Sequence, residues 1–184
     1  FEEYEKVTIR RYSQDLMRAN APKCILYKEW LNSRGAVFRF DRKAIEIRIM
    51  DEQECVKSDV ALSCFIRALL RGVIQENEIH LPHSLLTEDL NAVIKNGLDA
   101  KVQHPKGSTA GQVCRYFYKI AEEKASREEK QYLWIVKKRI EEGNLSNLIL
   151  RNVARRSQKT DFEEAIFNVY SSLIKNLEKN KVYS

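Results

Sequence analysis

AVFRFDRKAIEIRIM, residues 36–50, decides what kind of fold this chain can have. Residues 36–40 and 44–50 each alternate apolar with charged or small side chains, the two-residue period of a strand with one dry and one wet face. The polar turn around Asp41 and Arg42 predicts an antiparallel hairpin. Phe38, Phe40, Ile45, Ile47 and Ile49 then lie on the apolar face, while Arg39, Asp41, Glu46 and Arg48 share the other. Alternating sheets ordinarily have one polar side, so a merely solvated face is one reading. The other is chemical. Side chains two apart on a strand point the same way about 6.6 Å apart. A carboxylate there could ligate Mg²⁺ while a neighbouring arginine reaches a phosphate oxygen.

Downstream of the hairpin the sequence turns helical. Residues 58–75 are apolar except for Asp59, Ser63, Arg67 and Arg71, four apart, so a narrow wet stripe is expected on a deeply packed helix starting at Ser58 or Asp59. The apolar face of the hairpin is its expected partner. In LTEDLNAVIKNG, Thr87 can cap a helix and Gly97 can end it. A helix is expected over about 109–124, and capping boxes at Ser126 with Glu129 and Thr160 with Glu163 open two more, ending near Gly143 and Lys179. NLSNLILRNVARR reads as a shorter helix between them, and residues 2–19 as a helix of mixed polarity ending before Ala21-Pro22. The fold class is therefore α+β: a small antiparallel element, hairpin 36–50, packed against a mainly helical remainder.

At 184 residues and 43% apolar, the chain suits one domain or one part of a larger one. It begins at Phe1 without a signal-like segment and lacks the roughly 18 apolar residues of a membrane span, so a soluble chain, whole or part of a longer one, is expected. Cys24, Cys55, Cys64 and Cys114 show no C-x-x-C spacing, which points to free thiols in the reducing cytoplasm. A net charge of +6 suits an anionic partner such as nucleic acid, a nucleotide or a carboxylate, but mixed signs along the chain also fit a plain basic surface.

Smaller candidates carry less. His80 and His83 lack a completing Cys or acidic pair, and a polar loop is the better reading. RYFYK and YLWIVKKR interleave aromatic and basic residues as single-strand-binding surfaces do, yet their aromatics recur at helical spacing and read better as core. Arg151, Arg155, Arg156 and Lys159 suit a helix C-terminus. KGSTAG only loosely resembles a phosphate-cradling turn.

The segment NSRGAVFRFDRKAIEIRIMDEQEC, residues 32–55, closely resembles the corresponding segment of the glutamate-cysteine ligase family 2 proteins, also called carboxylate-amine ligases, of the glutamine synthetase superfamily. The likeness extends into DVALSCFIRALLRGV and, more weakly, to NAVIKNGLDAKV and the helical tail. Two arginines five apart, Arg34 and Arg39, precede a Glu46-Ile-Arg48 strand and then Asp51, the superfamily's order. The resemblance implies that Glu46 ligates metal, that Arg48 meets the transferring phosphoryl group and that Arg34 and Arg39 contact phosphate or nucleotide. Asp41, Arg42 and Asp51 would support them.

The activity so implied is an ATP- and Mg²⁺-dependent ligation, in which a carboxylate such as glutamate attacks the γ-phosphate and an amine such as cysteine then displaces phosphate. Nothing upstream of Arg34 resembles the family's further acidic ligands. The chain is accordingly expected to be the C-terminal part of a larger catalytic domain, completed by the remainder of the same polypeptide and inactive toward ATP alone. Membrane is excluded as a partner, nucleic acid is disfavoured and a homo-oligomer is compatible. The competing class is a non-enzymatic basic helical module for nucleic acid or a protein partner, which predicts salt-sensitive binding.

Overall fold

The computed structural model describes residues 2–26, 31, 35–76 and 81–184. The chain divides into two compact units, Phe1–Glu52 and Gln53–Ser184. The architecture is α+β, mainly helical with a two-stranded antiparallel sheet.

The first unit holds a continuous helical run, α1 (Glu2–Tyr4), a π-helical turn (Glu5–Ile9) and α2 (Arg10–Arg18), then a 3₁₀ turn and the hairpin. β1 (Ala36–Arg39) pairs with β2 (Ala44–Ile47), placing Val37 opposite Glu46, Phe38 opposite Ile45 and Arg39 opposite Ala44. Both strands are shorter than the alternation predicts. At one end Arg42 N–H turns back to the Arg39 carbonyl and Lys43 takes φ +49°, so Phe40 is drawn into the turn. At the other, Arg48 and Ile49 N–H both go to the Gly35 carbonyl, which ends the ladder. The apolar face meets the N-terminal helix, with Tyr4 edge-on to Phe38 at 4.6 Å between ring centroids.

In the second unit, α3 (Val56–Glu76) packs on α5 (Ala110–Lys124) and α6 (Arg127–Glu142). The contact is close because α3 presents small residues: Ala61 and Ala68 are fully buried, and a β-carbon on Gly72 would overlap Ile120 Cγ2. Apolar burial at this seam, with Leu133, Ile135 and Tyr118, is the main favourable term. The helix begins at Val56 rather than at Ser58 or Asp59, since Ser58 N–H already bonds the Cys55 carbonyl. Its wet side is broader than the four-residue stripe predicts: Val60, Leu70 and Val73 are well exposed and Ile74 is 76% exposed. With small residues facing α5 and α6, these larger ones point outward.

The helix α4 (His83–Asn96) starts four residues before the Thr87 cap position; Pro82 precedes it, and the Thr87 hydroxyl instead donates to the His83 carbonyl within the helix. Gly97 ends it at φ +58°, as expected. Thr109 caps α5, and the Ser126–Glu129 box opens α6. α7 (Leu145–Arg156) opens with an Asn144–Asn147 box. For α8 (Phe162–Glu178) the cap is Asp161, one residue beyond Thr160, whose hydroxyl is turned to the Arg156 and Asp161 carbonyls. Among the described residues no helix is long and apolar enough to cross a membrane.

Candidate functional site on the hairpin

Antiparallel register puts Arg39 diagonal to Glu46 on one face, close enough for long side chains to meet. Arg39 Nη1 donates to Glu46 Oε2 at 2.8 Å, while Arg48 donates from Nε to Oε1 at 2.9 Å and from Nη2 to Oε2 at 3.5 Å. Asp41 extends the ladder, 3.5 Å from both Arg39 Nε and Arg42 Nε. Five of the seven sequence-predicted residues thus form one alternating string of charge. Asp51 follows, exposed, in the segment after β2, and Arg34 lies outside the described residues.

The string sets the protonation state. Hydrogen bonds from Arg48 and then Arg39 hold the Glu46 carboxyl at about 2, far below the usual 4.5. Partial desolvation pushes Asp41 up, but the charge and hydrogen bond of Arg39 and the charge of Arg42 outweigh it, and its carboxyl is lowered. Glu46 is therefore a carboxylate at any physiological pH, as a ligand to a hard cation must be.

A carboxylate has about four lone-pair sites, and the arginines take one on Oε1 and two on Oε2. Glu46 fits one metal bond without releasing either arginine. It does not make a metal cage. Among the described residues no group of three or more His, Cys, Asp or Glu could hold a metal ion, so any further protein ligands would have to come from elsewhere.

The other candidates resolve into structure. His83 touches Thr87, and His80 lies outside the described residues. In KGSTAG, Thr109 accepts from Gln112 N–H, and the Ser108 N–H and hydroxyl both donate to Gln112 Oε1, so the turn's polar groups serve the α5 N-terminus. Tyr118, Leu133, Ile135 and Val136 are core, whereas Trp134 is half exposed. Arg155 and Arg156 fall in the last turn of α7, and Arg151 reaches back to the Glu142 carbonyl at the end of α6. What sequence reasoning missed is the direct Arg39–Glu46 bond, which the register alone would have suggested.

The structure is thus a mainly helical α+β chain whose hairpin sets arginines around one ionised glutamate. Comparison with known proteins makes this specific: the sequence model of Glutamate-cysteine ligase family 2 (GCS2) matches residues 2–171, and the chain belongs to that family. An uncharacterized protein of Archaeoglobus fulgidus is 42% identical over 159 residues, covering 86% of this chain and 39% of the relative. The chain thus spans about two fifths of that relative's length. No solved structure matches it.

Proposed function

We propose that the hairpin is the metal- and phosphate-facing wall of an ATP-dependent carboxylate-amine ligase of the glutamate-cysteine type, and that this chain is the C-terminal part of its catalytic domain. The observation that carries the reading is the Arg39–Glu46–Arg48 ladder, lying inside the family match. Glu46 would contribute one oxygen to Mg²⁺, which when bound supplies Lewis-acid polarisation of phosphate oxygens.

The chain's own residues do the rest. Arg48 would steady the transferring phosphoryl group with its fixed positive charge while holding Glu46 in place. Arg39, with Arg34, would face the nucleotide phosphates. Asp41 and Arg42 brace Arg39 from the turn, and Asp51 supports the wall from the segment after β2. Fixing these charges before reaction is where rate is gained, because phosphoryl transfer is mostly positioning and electrostatics. The attacking group is a substrate carboxylate, glutamate in this reading, and the acceptor an amine such as cysteine, in a cytoplasmic setting.

The test is Glu46→Gln in the full-length protein. Mg²⁺-dependent ATP consumption should fall at least about a hundredfold, as for loss of a charge made for the transition state, with the circular dichroism spectrum unchanged. Parent-like turnover would remove Glu46 from the site.

A further inference from the structure

The second unit has two apolar clusters. Ala61, Tyr118, Leu133, Ile135 and Val136 form one, from α3, α5 and α6; Leu148, Val153, Ala165 and Val169 form the other, from α7 and α8, which pack chiefly on each other. The tail after α8 joins them: Val182 packs on the first cluster and Tyr183, 5% exposed, belongs to the second.

Polar contacts hold the tail from both sides. Tyr183 N–H donates to Glu54 Oε1 at 3.1 Å, and Arg139 Nη2 donates to the Tyr183 carbonyl at 2.9 Å. Glu54 Oε1 also accepts from Arg139 Nη2 at 2.7 Å and from the Ser58 hydroxyl at 2.9 Å. Asn152 on α7 donates to the Tyr183 hydroxyl at 3.0 Å. One residue thus bonds to the start of α3, to α6 and to α7. A turn with Asn180 at φ +47° aims the tail, and Asn180 Oδ1 accepts from Lys57 N–H at 2.8 Å.

The network is strong but incomplete. The Glu54 side chain is fully buried, yet its Oε2 and the Arg139 Nε and Nη1 are buried without a hydrogen-bond partner among the described residues. Buried polar atoms of this kind weigh against the closed state, because each can hydrogen-bond to water on opening. Gly143, at φ +106°, joins α6 to the α7–α8 pair in a conformation side chains rarely adopt.

We propose that residues 180–183 are a latch: docking of Tyr183 on Glu54, Arg139 and Asn152 holds the α7–α8 pair on the α3–α5–α6 bundle, and its release lets the pair open about Gly143 as one piece. Local opening of a contiguous motif below the global unfolding free energy is the behaviour expected of a unit joined by so few contacts.

Hydrogen–deuterium exchange on the 184-residue chain tests this. Tyr183→Ala removes a buried aromatic, and exchange over 145–178 should accelerate roughly a hundredfold, while 56–76 and 110–142 keep parent rates. Tyr183→Phe keeps the ring and loses only the Asn152 bond, so a several-fold acceleration confined to 145–178 is expected even if the alanine variant does not fold. Equal acceleration in both regions, or none over 145–178, would overturn the latch.

Discussion

Glu129 shows how one carboxylate can hold three elements together. It is 5% exposed; Oε2 accepts from Arg71 Nη2 of α3 and from the Ser126 N–H at 2.8 Å, with Arg67 Nε 3.7 Å from Oε1. Arg71 Nε also bonds the Lys124 carbonyl at the end of α5. The Arg71 hydrogen bond, against the upward push of burial and with help from Ser126 N–H and the Arg71 and Arg67 charges, lowers the Glu129 carboxyl below its usual 4.5. A carboxyl that binds its proton less tightly folded than unfolded stabilises the protein above the unfolded value, and loses that contribution as pH falls through the folded one. Glu129→Gln should therefore cost about 1–3 kcal/mol at neutral pH, the range for a charge-assisted bond in a largely buried site. The gap in melting temperature to the parent should narrow as the pH is taken down from 4.5 through the folded value. A gap that stays constant into acid would mean Glu129 acts by packing rather than by charge.

The elements were legible where their signals are local. The Ser126–Glu129 box and the Gly97 stop are read within four residues of sequence and stand in the structure. The Thr160 cap failed because a better acceptor sat next door. Asp161 Oδ1 accepts Glu164 N–H at 2.9 Å, so Asp161→Ala should cost α8 about 1 kcal/mol in urea unfolding. Thr160→Ala should cost less than half of that. The reverse order would restore the Thr160–Glu163 box. On the hairpin, alternation gave the two faces and the resemblance implied the roles proposed above, but the pairing of Arg39 with Glu46 needs the register. Glu54, Arg139 and Tyr183 were illegible altogether, because contacts spanning 85 and 129 positions leave no period in sequence. The broad exposed side of α3 was misjudged for a related reason: an apolar residue in a helix declares that it can be buried, not that this stretch of chain supplies the cover.

At the scale of the molecule, chemistry and fold are unevenly distributed. The hairpin contributes two carboxylates, Glu46 and Asp41, both engaged by arginines, and among the described residues no group of three or more His, Cys, Asp or Glu could hold a metal ion. Phosphoryl transfer between a bound nucleotide and a carboxylate needs several charges neutralised at once, commonly by more than one metal contact. In the proposed function a single Glu46 oxygen would anchor a cation already on ATP, but it would not by itself set the in-line geometry. The relative in Archaeoglobus fulgidus, of which the match covers 39%, has ample length beyond the matched region to carry such ligands. The 184-residue chain alone should therefore show no Mg²⁺-dependent ADP production above the buffer rate in a coupled assay with glutamate and cysteine present. The same assay on a full-length family member should show it, and should lose it with Glu46→Gln. ADP released by the 184 residues, abolished by chelating Mg²⁺ and by the Glu46 substitution alike, would mean that this hairpin assembles a working site with less than the electrostatics require.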